Sequence, residues 1–121
     1  MKLITAIVRP EKLDELIGVV FDHKGRGLTV TEVRGFGRQY GQLTAHRADT
    51  DPDLGLASAR HVALLPKIRL EIVVLDEDAE PMVEALAKQA RTDTIGDGKI
   101  WVTSVGSALR IRTGERDSDA V

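Results

Sequence analysis

Two glycines bracket an aspartate at Gly96-Asp97-Gly98, and Lys99 follows at once. Glycine lets backbone N–H groups approach an anion with no Cβ in the way, and the neighbouring ammonium supplies charge, so this pattern can cradle a phosphate. It is not a Walker A loop, because the glycine spacing and the following Ser/Thr are absent, and taken alone it is as readily a tight turn. Two other stretches share its character, Gly35-Phe36-Gly37-Arg38-Gln39 and Arg110-Ile111-Arg112-Thr113-Gly114-Glu115-Arg116. Each leaves the end of a strand-like run. If the three ends converge, they form one polyanion site.

Other chemistry is weaker. His46, Asp49, Asp51, Asp53 and His61 share one segment, but no spacing among them is diagnostic of a metal, and solvated loop residues are the plainer reading. His23 stands apart, and Ser58 carries no sign of a modification site. Asp97 and Glu71 could serve as bases in phosphate transfer, yet the chain offers no positioned nucleophile and no carboxylate pair for metals, so an ATP-hydrolysing or phosphate-transferring enzyme is a less favoured reading, and a purely structural oligomer, which would not need three cationic loops, is less favoured still. With no cysteine, disulfides, thiolate metal sites and thiol nucleophiles are excluded.

The elements that position these loops follow from hydrophobic periodicity. Residues 2–9 alternate as a strand, with Ile4, Ala6 and Val8 on one face and Leu3, Thr5 and Ile7 on the other. Pro10-Glu11-Lys12 opens a helix whose stripe is Leu13, Leu16, Ile17, Val20 and Phe21, ended by Gly25-Arg26-Gly27. A second strand runs over about 28–36. Residues 38–63 show no sustained period and form a long excursion, with a short helical piece expected near 54–63. The third strand sets Ile68, Leu70, Ile72 and Val74 against Lys67, Arg69, Glu71 and Val73. Asp76 or Asp78 can then cap a second helix with Pro81 in its first turn and an apolar stripe of Val83, Leu86, Ala87 and Ala90. A fourth strand, 99–105, and a tail through Leu109 and Ile111 complete the chain.

This order, strand-helix-strand twice over, predicts one α+β domain over residues 1–121 on the ferredoxin-like, split βαβ plan: an antiparallel sheet with two helices on one face. The other face would carry Leu3, Ile7 and Val73 beside Thr29, Arg69 and Glu71, too apolar to stay bare, so a closed homo-oligomer, a trimer or another small ring, is expected to cover it. Lys and Arg total 17 against 19 Asp and Glu, a net charge of -2, and with no basic block nucleic acid is not an expected partner. The apolar run in MKLITAIVRP stops too early for a signal peptide or a spanning helix, so no membrane insertion and a cytoplasmic location are expected.

With these residues in view, the chain resembles the PII family of nitrogen regulatory signal proteins. VTEVRGFGRQ at 30–39, LLPKIRLEIVV at 64–74, TIGDGKIWV at 94–102 and RIRTGERD at 110–117 stand in family order, and together they are far more specific than any one of them. The resemblance implies a homotrimer with ATP or ADP in each cleft between subunits. It implies that Gly96, Asp97, Gly98 and Lys99, in the B-loop-like segment 91–99, wrap the phosphates from one subunit. Arg110 and Arg112, in the C-loop and tail at 107–121, reach them from the neighbour. Gly35, Gly37 and Arg38 line the base of the T-loop-like segment 38–63, Ile7, Thr29 and Val73 surround the adenine, and Glu71 lies near the ribose.

By the same resemblance, Gln39 ligates Mg²⁺ when ATP is bound, and one amide oxygen suits a hard cation already held by phosphates. Lys67, with Gln39 and Gly96, holds 2-oxoglutarate. No catalytic cofactor is implied. The implied function is a nitrogen regulator that controls a target protein, such as an ammonium transporter or a nitrogen-metabolism enzyme or regulator, through its long loop. Departures are equally legible. HRADTDPDLGLASARH replaces the family's loop motif and holds no tyrosine, Tyr40 lying at the loop's root, so nucleotidylation of a loop tyrosine is not expected. Asp93 and Thr94 stand where glycine and lysine precede IGDGK in the family. These departures motivate a second reading, an adenine-nucleotide sensor that reads a different small anion.

Overall fold

The structure, a computed structural model, describes residues 1–37 and 64–121. The expected helical piece near 54–63, and with it Arg38, Gln39, Tyr40, His46, Ser58 and His61, lies outside the described residues.

Strand β1 (Lys2–Val8) leads through a single 3-10 turn (Pro10–Lys12) into helix α1 (Leu13–Asp22). Strands β2 (Thr29–Gly35) and β3 (Leu65–Val74), helix α2 (Asp76–Ala90) and strand β4 (Lys99–Ser104) follow. The sheet order is β2-β3-β1-β4 with every pair antiparallel, the arrangement of a split βαβ unit in which the two sequence halves interleave. Ile4, Ala6, Val8, Ile68, Leu70, Ile72 and Val74 share one face of the sheet and pack with Leu16, Val20, Met82 and Leu86 of the helices into one core. Burying a side chain of this size stabilises by roughly 1.5–3 kcal/mol.

Local details depart from the sequence expectation in instructive ways. Phe21 is 70% exposed and Ala87 is exposed, whereas Met82, absent from the expected stripe, is fully buried. The stripe of α2 is set by which flank meets α1 and β1, so Ala79, Met82, Leu86 and Ala90 turn inward and Ala87 faces away. Neither Asp76 nor Asp78 caps α2 with its side chain, because Leu75 occupies the N-cap position and the Asp76 carboxylate accepts from the Met1 ammonium at 2.7 Å. Pro81 lies inside the helix beyond its first turn, on an exposed flank where water can serve the carbonyl its ring leaves unpaired. Thr5, expected on the uncovered face, is 2% exposed, since it sits in β1 between Glu71 of β3 and Trp101 of β4.

Gly25 closes α1. Its N–H donates to the Val20 carbonyl at 2.8 Å, and an added Cβ would meet the Val20 side chain at 2.3 Å. The chain after β4 folds into a small hairpin in which Leu109 pairs with Arg116 and the Arg110 N–H donates to the Glu115 carbonyl at 2.9 Å. Gly35 of β2 pairs with Leu65 of β3, so the two stems of the excursion leave the sheet side by side.

Candidate functional site

The connection from α2 to β4 carries the glycine pair, and the end of β1 determines its shape. Arg9 precedes Pro10, which holds it extended at φ -67 and ψ 139. From there its guanidinium reaches three acceptors of the loop: Nε donates to Asp97 Oδ1 at 3.0 Å, and Nη2 to Thr94 Oγ1 and to the Ile95 carbonyl, both at 2.8 Å. The Asp97 carboxylate also accepts from the Thr92 backbone N–H at 2.7 Å and from the Thr92 hydroxyl. These Thr92 bonds, with Arg9 behind them, hold the Asp97 carboxyl well below the usual carboxylate range. Asp97 therefore stays ionised and tied to its own loop, which leaves it unsuited to act as a base.

The glycines answer to geometry. Gly96 has φ +107 at the third position of the turn formed by residues 94–97, where a type II turn calls for glycine. Gly98 has φ +99, and a Cβ there would lie 1.7 Å from the Ile7 carbonyl oxygen. No other residue lets the loop run against the β1 backbone so closely. Asp93, where the resembled family carries glycine, has φ +58, a left-handed conformation that aspartate tolerates better than most side chains. Thr94, in place of lysine, spends its hydroxyl on Thr92 and Arg9.

Lys67 arrives from β3. Its Nζ donates to the Gly96 carbonyl at 2.6 Å, and burial, followed by the charge of Arg9, lowers its pKa from the ordinary lysine value. Register places Arg69 and Lys99 on either side of Ile7 on the face away from the helices. One corner of the sheet thus gathers Ile7, Lys67, Gly96, Asp97, Gly98 and Lys99.

A second group lies further along the same face. Thr29, Glu71, Val73 and Arg110 line an open cleft of about 660 Å³, together with Leu3 and Leu28. Thr29 pairs with Glu71 in register, and Glu71 is bound by Arg69 at 2.7 Å. Arg110 is paired with Glu115, whose carboxyl is held below its usual pKa first by the Thr113 hydroxyl and then by Arg110. Arg112 is exposed on the hairpin turn beside Ile111. Within one chain the cleft that Arg110 lines contains none of residues 96–99. Gly35 and Gly37 stand at the root of the excursion.

Sequence reasoning missed Arg9 and Thr92, and read Thr94 only as a lost lysine. The Arg-Pro pair at the strand end was the available signal, but its partners lie more than eighty positions away. Among the described residues no cluster of His, Asp and Glu could hold a metal ion, and no helix is long and apolar enough to cross a membrane.

Residues 1–115 match the family model described as nitrogen regulatory protein P-II. The chain belongs to the P-II family. At full length it is 46% identical to the nitrogen regulatory protein P-II of Cereibacter sphaeroides, and 45% identical to that of Rhizobium etli, each over 121 residues and all of both chains. It is 46% identical to nitrogen regulatory protein P-II 2 of Methanothermobacter thermautotrophicus, over all of this chain and 97% of that one. The antiparallel sheet with two helices is the ferredoxin-like fold of PII proteins. PII proteins are named as regulators, so this chain is a nitrogen signal-transduction protein rather than an enzyme, and the phosphate-transfer reading falls away.

Proposed function

We propose that this PII protein reads the adenine-nucleotide state and 2-oxoglutarate in the cytoplasm, as a homotrimer with one nucleotide cleft between each pair of subunits. Gly96, Gly98 and Lys99 hold the phosphates of ATP or ADP from one chain, and Arg110 and Arg112 reach them from the next. Ile7, Thr29 and Val73 surround the base, Glu71 lies by the ribose, and Gly35, Gly37 and Arg38 form the floor under the long loop. Gln39 supplies the protein oxygen for Mg²⁺ carried by ATP, and Lys67 with Gly96 meets the 2-oxo acid. The liganded state biases residues 38–63 toward or away from a target, an ammonium transporter or an enzyme or regulator of nitrogen metabolism.

The single observation that supports this best is the corner where Gly98 has no room for a Cβ against Ile7 and Lys67 grips the Gly96 carbonyl. A loop built so tightly beside a lysine suits an anion at its outer rim. The second reading, a sensor of a different small anion, rests on Thr94: its hydroxyl is engaged inside the loop, so no cation extends from that position. Titration calorimetry with ATP, ADP and then 2-oxoglutarate, with and without Mg²⁺, separates the two. Binding of the 2-oxo acid that depends on Mg-ATP supports the first reading; nucleotide binding with no heat from millimolar 2-oxoglutarate supports the second. No nucleotide binding at all overturns both. Light scattering that returns a monomer mass refutes the shared cleft.

A further inference from the structure

We infer that Arg9 is a positioning residue for the phosphate loop: its fork across Thr94, Ile95 and Asp97 fixes the Ile95–Gly96 peptide with its N–H turned outward, toward a bound phosphate. This inference rests on the proposed nucleotide site and says how that site is kept ready before ligand arrives.

The geometry carries it. The middle peptide of a β-turn can face either way, and its two settings are what distinguish type I from type II. Here Arg9 Nη2 holds the Ile95 carbonyl at 2.8 Å, on the side of β1. Among the described residues no peptide bond is cis, so the Gly96 N–H points opposite to that carbonyl, away from the guanidinium. Among the described residues that N–H meets no acceptor. An unpaired backbone donor held in one direction by a charged fork is what a bound oxyanion needs, and presetting it removes an ordering cost from binding.

The other two legs brace the fork. Asp97 Oδ1 takes Nε at 3.0 Å while the same carboxylate holds the Thr92 N–H at 2.7 Å, so the entry and exit of the turn are tied across its mouth. Thr94 Oγ1 takes the same Nη2 that holds the Ile95 carbonyl. The planar guanidinium suits this three-way grip, and a lysine ammonium, with its point charge and flexible stem, does not reproduce it.

Arg9 acts through the loop and not on phosphate directly, and the test is chosen to tell these apart. ATP and adenosine are titrated into wild type, Arg9→Met, Arg9→Lys, Asp97→Asn and Thr94→Val, with circular dichroism as a check of folding. The expected result is a loss of roughly tenfold in ATP affinity for Arg9→Met with adenosine affinity unchanged, because a charge-assisted grip on the phosphate loop is lost and the base site is not. Arg9→Lys, which keeps the charge, restores only a minor part. Asp97→Asn also weakens ATP, although deleting a negative charge beside a phosphate would by itself strengthen it. Thr94→Val, the mildest cut, shows the same direction should Arg9→Met fold poorly.

Wild-type ATP affinity in Arg9→Met, full recovery in Arg9→Lys, equal loss of ATP and adenosine, or tighter ATP binding by Asp97→Asn would each overturn the inference while the nucleotide site stands. Absence of ATP binding by the wild type overturns the site itself, and the inference with it.

Discussion

Gly98→Ala isolates one contact that the loop depends on. A Cβ at this position would sit 1.7 Å from the Ile7 carbonyl oxygen and 2.8 Å from its carbon, where real Cβ atoms essentially never approach within 3.0 Å. Both obstacles are backbone of β1, a strand paired on both sides, so no side chain can swing away. The φ of +99 adds strain of its own for any L side chain. Backbone strain of about 1–3 kcal/mol and overpacking of about 1–3 kcal/mol place the expected loss near 3–4 kcal/mol. Against a typical domain stability of about 5–15 kcal/mol this is large, and for a chain of this size it corresponds to roughly 12–16 °C in Tm. Urea and thermal unfolding at matched protein concentration measure it. Gly106→Ala is the control, since nothing lies within 4 Å of a Cβ there and its φ is not left-handed. A Gly98→Ala protein within about 0.5 kcal/mol of wild type, level with the control, would refute the close approach of loop and strand.

Met82→Ala should cost about 2–5 kcal/mol, because Met82 is fully buried between the helices and the sheet, while Ala87→Glu on the exposed flank should move stability by no more than about 0.5 kcal/mol; chemical denaturation of the pair checks the corrected stripe of α2. Asp93→Gly relieves a left-handed residue at φ +58 and gives up only an exposed pairing with Arg91, so it should be neutral or stabilising by up to about 1 kcal/mol; a loss above that in urea melts would contradict the geometry. The Asp97 carboxyl is held below its unfolded value, so its contribution is present above pH of about 4 and is lost as pH falls toward its folded value; urea midpoints from neutral pH down to about pH 2 should show an acid limb that is shallower in Asp97→Asn.

Much of the fold was legible because it rests on short-range patterns. The alternation at Ile4, Ala6 and Val8, and again at Ile68, Leu70, Ile72 and Val74, marks one buried face without reference to anything distant. The errors fall where a neighbour decides: Phe21 and Ala87 fit a helical period but face away, and Asp76 prefers the ammonium of Met1 to a cap. In the candidate site, the glycines at 96 and 98 and the cation at 67 were visible as residue types in a turn and on a strand. Arg9 was not, since its role exists only once β1 lies beside β4 and the loop crosses its end. Gly98 could be read as a turn glycine, yet the reason it must be glycine is the Ile7 carbonyl, which no local pattern reveals.

The pairing of Gly35 with Leu65 has a consequence for how such a protein can diverge. Because the sheet itself brings the two stems together, the segment between them closes a ring whose ends are already anchored. Doubling the length of such a segment adds only about 0.6 kcal/mol of closure entropy. By this closure term, a change of length between residues 38 and 63 costs the domain little. The stems at Gly35 and Leu65 and the corner where Gly98 meets Ile7 are both set by the sheet, so a change in the length of the chain between the stems need not disturb the register of either.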